Sequence, residues 1–437
     1  MDRVRTFFVQ NFGCRASQAD GVAVESLLAG AGLVAARREQ AELVVLNTCT
    51  VTAAADDDVR QAVRRVHREN AGARILVTGC YAQRAPDELA ALPGVEWVVG
   101  NSHKTQIAEL VSSADYHGQI HVGDIFAPHD FLSAAALAAD HTRPTLKIQD
   151  GCDNRCSFCI IPAVRGRSRS APLDCVIEQV RELSEKSREI VLSGINLGRW
   201  GRERGAGSMR LADLLRAILR ETGIERLRLS SVEPMDFSDD LLALMASSPR
   251  IAKHVHAPLQ SGSDAVLRRM RRKYRSRHYA DRILKARNAM PDAAIGADVM
   301  VGFPGETSDE FERSREFIES LPFTYLHVFT YSARPGTPAA EASNQVPMQV
   351  RRERNRILRQ LAAAKNLEFR RSMVAKKLRA VTINPPGSAL TDNYLNVELA
   401  RPEAPNRMIE VEIGSVTESG LREAATAPAA LRVLSTS

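Results

Sequence analysis

Short apolar runs alternate with helix-periodic segments twice along this chain, a pattern that parallel sheets faced by helices can bury. In the first series, residues 5–11, 42–47, 74–78 and 97–99 read as strands, and 18–31 and 59–69 as helices. In the second, 145–149, 189–192, 226–230, 254–257, 296–301 and 325–330 read as strands, with helical patterns such as 174–187 and 211–222 between them. That second run spans about 180 residues and has the repeat of a parallel βα barrel or part of one. A basic helical pattern follows over 349–377, then short strands at 378–382, 395–399 and 408–413 that predict a small β-barrel. The expected fold class is α/β multidomain. Residues 1–125 form a parallel α/β sheet domain, 126–142 a linker, 143–374 a partial (β/α) barrel and 375–437 a small β domain.

The chemistry is concentrated in cysteine. The 437 residues include Cys14, Cys49, Cys80, Cys152, Cys156, Cys159 and Cys175. The first residues run straight into an alternating strand without an apolar leader, and no stretch approaches ~20 consecutive apolar residues. The expected location is the cytoplasm, with no membrane contact. In a reducing compartment, closely spaced cysteines indicate metal binding or catalysis rather than disulfides.

Cys152, Cys156 and Cys159 form a C-x3-C-x2-C loop just after an expected strand. Three thiolates this close can converge on one centre, and thiolate sulfur suits iron–sulfur clusters. Three ligands cannot saturate a four-iron cluster, so one iron stays open. Zinc is the alternative, but it usually takes four ligands, and no fourth Cys or His lies nearby in sequence. Cys14, Cys49 and Cys80 each follow the C-terminal end of an expected strand. In a parallel sheet such ends lie along one edge, so these cysteines can meet as a second cluster site. The alternative is three ordinary buried cysteines. Cys175 starts a helix face and is expected to be structural.

The loop Gly151-Cys152-Asp153-Asn154-Arg155-Cys156-Ser157-Phe158-Cys159 resembles that of the radical S-adenosylmethionine (SAM) superfamily, including the aromatic residue before the third Cys. The resemblance implies that SAM chelates the open iron and is cleaved to methionine and a 5′-deoxyadenosyl radical. Asn47-Thr48-Cys49-Thr50-Val51 and Thr78-Gly79-Cys80-Tyr81-Ala82-Gln83 are similar to N-terminal signatures of the methylthiotransferase family. Pro258-Leu259-Gln260-Ser261-Gly262-Ser263, the run from Asp298 to Thr307 and the run from Tyr331 to Ala340 resemble its radical SAM core. The resemblance covers nearly the whole chain. It implies two [4Fe-4S] clusters, an auxiliary one on Cys14, Cys49 and Cys80 and a SAM-coordinating one on Cys152, Cys156 and Cys159. It also implies insertion of a methylthio group at C2 of an adenine in the tRNA anticodon loop, a low-potential electron donor and a sulfur source. The run from Thr391 to Val397 resembles the core of a TRAM domain, a small RNA-holding barrel.

Three branches of that family differ in substrate: N6-threonylcarbamoyladenosine, N6-isopentenyladenosine, or an aspartate of a ribosomal protein. Leu146-Lys147-Ile148-Gln149-Asp150-Gly151-Cys152, the run from Ile160 to Ser170, and the run from Gly194 to Gly201 resemble the first branch. Arg15-Ala16 stands where the third more often has Pro-Lys. The expected substrate is therefore threonylcarbamoyladenosine at position 37. A non-enzyme alternative is an iron–sulfur RNA-binding protein.

SAM also needs polar groups for its ammonium, ribose and adenine. Ser193, Gly194, Glu233, Gln260 and Asp298 lie at or just after expected strand ends, where barrel ligands collect; each could instead be a cap or turn residue. The net charge of +7 permits a polyanionic partner without demanding one. Of three basic runs, Arg165, Arg167 and Arg169 follow the SAM loop and are the expected RNA contacts. The run from Arg268 to Arg275 is balanced between RNA contact and a solvated face. That from Arg351 to Arg354 is expected to be solvated.

Overall fold

The computed structural model describes residues 4–112, 119–132, 142–205 and 207–425. Residues 133–141 of the expected linker lie outside the described residues. The first sheet holds β1 (Thr6–Asn11), β2 (Val34–Ala35), β3 (Leu43–Thr48), β4 (Arg74–Gly79), β5 (Val95–Val99) and β6 (Ile120–His121), all parallel, in the order β2-β1-β3-β4-β5-β6. β3 is apolar along most of its length because both faces are covered. Val44 and Leu46 meet Val59, Val63 and Val66 of helix Ala53–Glu69, whereas Leu43 and Val45 meet Val24 and Leu28 of helix Arg15–Gly30. The covering helices thus change face between β1 and β3, so the C-terminal strand ends there form a topological switch point.

Helix Ala53–Glu69 starts six residues ahead of its expected position. The Thr52 side chain accepts a hydrogen bond from the Ala55 amide at 3.2 Å and caps the helix before its first apolar residue. The two-residue strands β2 and β6 are too short to show a period in sequence.

The second unit contains β7 (Thr145–Asp150), β8 (Arg169–Ser170), β9 (Glu189–Gly194), β10 (Arg226–Leu229), β11 (His254–His256), β12 (Ala294–Val301) and β13 (Tyr325–Thr330). They form two sheets, β10-β9-β7-β8 and β11-β12-β13, joined by a parallel bridge between Leu227 and Ile251. β8 is antiparallel to β7; the other pairings are parallel. The result is a partial barrel, left open between β13 and the β7–β8 edge.

Alternation along these strands divides core from lumen. Leu146, Ile148, Ile190, Leu192, Leu227, Leu229, Val255, Ile295, Ala297 and Val299 enter the apolar core. The intervening positions are mostly polar: Glu189 pairs with Arg226 and Arg228, His254 with Tyr325, and Asp298 with His256 and His327, while Lys147 reaches Asp20 outside the strands. Helix Arg15–Gly30 lies against β7, where Asp20 pairs with Lys147.

Helix Met348–Arg371 follows, then a closed barrel of β14 (Lys377–Ile383), β15 (Ser388–Thr391), β16 (Asn396–Glu398), β17 (Met408–Val416) and β18 (Leu421–Glu423). The helix ends before the expected 377, leaving Lys377 to start β14. Arg351 and Arg354 correct the expectation of a solvated run. Both are buried, Arg351 donating to the Tyr331 carbonyl at 2.9 Å and Arg354 pairing with Glu306 at 2.7 Å.

Buried charge joins the two barrels. Glu189 accepts from Arg226 at 2.5 Å and from Arg228 at 2.8 Å. The same guanidiniums donate to the Leu390 carbonyl at 3.0 Å and the Thr391 carbonyl at 2.9 Å. His254 lies in this seam with its ring centroid 4.5 Å from that of Tyr394. Burial, and then Arg228, hold its imidazole well below the ordinary value. The folded chain keeps His254 neutral, so the unfolded chain binds its proton first as the pH falls below about 6.5. Stability is consequently lost on acidification at up to about 1.4 kcal/mol per pH unit from this one group. His254→Gln should flatten the acid side of the stability profile, read from urea midpoints between pH about 6.5 and 5.

Candidate active site

The sheet order brings the dispersed cysteines together. β1, β3 and β4 are neighbours, with Asn11 opposite Asn47 and Thr48 opposite Gly79. Cys14, Cys49 and Cys80 follow their C-terminal ends. Gly13, at φ +93°, sets its backbone directly on the second of them. A Cβ there would lie 2.3 Å from Cys49 Cβ and 2.6 Å from its Sγ. Cys80 starts the short helix Cys80–Arg84 after Gly79, at φ +101°, where a Cβ would lie 2.4 Å from the Thr48 carbonyl oxygen. Burial, and then the neighbouring Cys80 and Cys14, push the Cys49 thiol up to about 12. Arg165 Nε donates to Cys80 Sγ at 3.2 Å, and Asn101 Nδ2 lies 3.7 Å from the same sulfur.

Gly13→Ala combines a left-handed backbone with that overlap, so Cys49 must move. The variant should lose iron and sulfide toward the content of a single cluster while still cleaving SAM, as measured by iron assay and 5′-deoxyadenosine release.

The second triad lies in the loop after β7. The loop is tied across the barrel: the Ser157 amide donates to the Met270 carbonyl at 3.1 Å, and the Ala339 amide to the Ser157 carbonyl at 2.9 Å. Phe158 packs with Phe303, Tyr331 and Ala339. Donors converge on the sulfurs here too. The Asn154 amide is 3.4 Å from Cys152 Sγ, Asn196 Nδ2 is 3.7 Å from it, and Arg272 Nη1 is 3.4 Å from Cys156 Sγ. Burial above all pushes the Cys159 thiol up to about 12. Ile160, next to Cys159, packs on Cys80, so the two triads approach across one apolar contact.

Arg165 binds both sides. It is buried, contacting Asp20 and Asp150 at 2.9 Å each as well as Cys80. Lys147 also pairs with Asp20, and with Asp150 at 3.0 Å; Lys104 pairs with Asp20 at 3.1 Å. These cations hold both carboxylates well below the usual range despite burial. The expectation that Arg165 faces RNA is therefore corrected: its guanidinium is enclosed by carboxylates and a thiol. Arg169 is half-buried, 3.6 Å from Asp150, and Arg167 is exposed. Cys175 is exposed on helix Leu173–Lys186.

The five SAM candidates fall in three places. Gly194 sits against Gln149, a Cβ there meeting Gln149 Cβ at 2.9 Å, and the adjoining Ser193 is buried. Glu233 pairs with Arg272 at 2.5 Å, beside Cys156. Gln260, at φ +65°, bridges to β12, where Asp298 lies 3.2 Å from both His256 Nε2 and His327 Nδ1. The two imidazoles hold the Asp298 carboxyl below its usual range against the opposing effect of burial. Of the residues that touch sulfur, Asn101 carries no sequence signal, whereas Asn196 lies in the Gly194–Gly201 run and Arg272 in the basic run from Arg268 to Arg275, where its role at Cys156 was not legible. Gln149, which accepts from the Asn196 amide at 2.6 Å, sits in the quoted run before Cys152.

A match to the radical SAM superfamily covers residues 146–318, and one to uncharacterized protein family UPF0004 covers 6–100. A threonylcarbamoyladenosine tRNA methylthiotransferase of Aquifex aeolicus is 36% identical over 92% of this chain and 99% of its own length. The chain belongs to the radical SAM methylthiotransferase family. It is thus an enzyme that transfers a methylthio group. A protein of the same description from Bacillus subtilis is 40% identical over 80% of this methylthiotransferase and 78% of its own length. A tRNA-2-methylthio-N(6)-dimethylallyladenosine synthase of Acidothermus cellulolyticus is 36% identical over 88% and 79%. The radical SAM methyltransferase TsrM of Kitasatospora setae, solved with cobalamin and a [4Fe-4S] cluster, shares the fold. Its TM-score is 0.60 at 16% identity, over 78% of this chain and 77% of that one. Among the described residues, no helix is long and apolar enough to cross a membrane.

Proposed function

We propose that this methylthiotransferase converts N6-threonylcarbamoyladenosine at tRNA position 37 into its 2-methylthio derivative. One observation carries the reading: two thiol triads, each with N–H donors turned on sulfur, meet across Ile160 and Arg165. Donors aimed at thiols suit groups that carry thiolate charge, and three free cysteines per site suit a [4Fe-4S] cluster with one open iron. Cys152, Cys156 and Cys159 hold the SAM-binding cluster, and Cys14, Cys49 and Cys80 the auxiliary one. When bound, these clusters supply the electron that cleaves SAM and the site that offers sulfur to adenine C2.

The residues around them position the reactants. Gln149, Ser193 and Gly194 line the SAM side next to Asn196. Glu233 fixes Arg272 against Cys156, while Gln260 and Asp298 lie on the far side of the lumen. Arg167 and Arg169 meet the anticodon-loop phosphates. The roles divide as 1–125 for the auxiliary cluster, 143–374 for SAM cleavage and 375–437 for RNA, joined by 126–142. The enzyme works in the cytoplasm with a low-potential electron donor and a separate sulfur source.

The test is mass spectrometry of tRNA nucleosides from cells lacking their own methylthiotransferases, with and without this gene. Appearance of 2-methylthio-threonylcarbamoyladenosine is the expected result. The isopentenyl product in its place would move the enzyme to another branch.

A further inference from the structure

A cavity of about 650 Å³ opens beside Cys14, between helix Arg15–Gly30 and the start of β7. Its wall includes Cys14, Arg15, Gln18, Arg143, Thr145 and Val191. Two guanidiniums of this wall are held in different ways. Arg15 Nη2 donates to Tyr394 Oη at 3.0 Å; among the described residues, no carboxylate lies within ion-pair distance of it. Arg143 reaches Glu189 at 3.2 Å, but that carboxylate also serves Arg226 and Arg228. The cavity therefore carries surplus positive charge. Arg15 is fixed by a neutral hydroxyl that leaves its charge uncompensated. Such a site favours an anion and disfavours an apolar chain.

We infer that Arg15, seconded by Arg143, forms a carboxylate subsite that selects the substrate. The inference rests on the threonylcarbamoyl reading above and deepens it. The ligand class is an amino-acid carboxylate carried on adenine N6 through a carbamoyl link. C6, which bears N6, is separated from C2 only by ring nitrogen N1, so an adenine presenting C2 beside Cys14 holds its N6 substituent within reach of the next residue. An isopentenyl chain offers no charge and leaves Arg15 unmatched. Arg15 is thus a specificity-determining residue adjoining the auxiliary cysteine.

The test uses anticodon stem-loops carrying threonylcarbamoyladenosine or its threonine methyl ester, which removes the negative charge at the cost of one added methyl group. For the wild-type holoenzyme, the ester should raise KM about 10- to 100-fold, the range for one charged hydrogen-bonded contact. Arg15→Gln should raise KM for the acid by a similar factor and bring the ester-to-acid ratio near one; Arg15→Lys should restore part of the ratio. Kd values for both RNAs without SAM should follow the same pattern independently of turnover. Iron content reports whether the Cys14 site survives. If Arg15→Gln loses iron, Arg143→Gln carries the comparison, with a partial fall of the ratio expected because Arg15 remains. A wild-type ratio of one, or an unchanged ratio in a variant that keeps its iron, overturns the subsite. Turnover of an isopentenyl stem-loop but not the threonylcarbamoyl one overturns the underlying reading instead.

Discussion

Cys152→Ala protein cleaves no SAM, whereas Cys49→Ala protein cleaves SAM and yields no methylthio nucleoside. This is the expected outcome when each is assayed anaerobically for 5′-deoxyadenosine and for modified tRNA. The separation follows from where the thiols stand. Cys152 lies in the loop after β7, where Asn154 and Asn196 address its sulfur. Cys49 lies at the end of β3 in the other unit, buried between Cys14 and Cys80. Losing either leaves the opposite triad complete. Methylthio product from Cys49→Ala protein would remove the division of labour between the triads.

The second large effect is structural. Arg165→Met leaves Asp20 and Asp150 buried with Lys104, Lys147 and the half-buried Arg169 where four cations stood, and removes the donor to Cys80. Breaking a buried ionic cluster by deleting one partner costs about 3–5 kcal/mol. The urea midpoint should fall accordingly, and the auxiliary triad should hold iron poorly. Arg165→Lys returns the charge but not the forked geometry and should recover only part of the loss. Unchanged stability with weakened tRNA binding would return Arg165 to the RNA surface.

That arginine marks the limit of what sequence could reveal. The strands were legible because their period and flanking turns are local, and the first triad because cysteines after parallel strands share an edge. Arg165 was misread because its partners are remote: Asp20 lies on the other unit's helix, and Asp150 becomes a neighbour only when the loop folds back. Arg351 and Arg354 misled for the same reason. Their run is polar in sequence, yet a helix face turned toward Glu306 and the Tyr331 carbonyl is buried. Short strands such as β8 lack the length to show alternation. Arg15 drew notice only through the residue types that follow Cys14; its contact with Tyr394 spans almost the whole chain.

The two-residue rhythm of the barrel strands has an evolutionary consequence. On β7, positions 146 and 148 answer to the core, and 145, 147 and 149 to the interior space. On β12, the core takes 295, 297 and 299, and the interior 296 and 298. Each strand thus carries two interleaved texts, one read by folding and the other by chemistry. The two texts meet where interior residues such as Lys147 and Arg228 are held in buried ion pairs, so only the interior positions outside those pairs are free to change with the substrate while the fold persists.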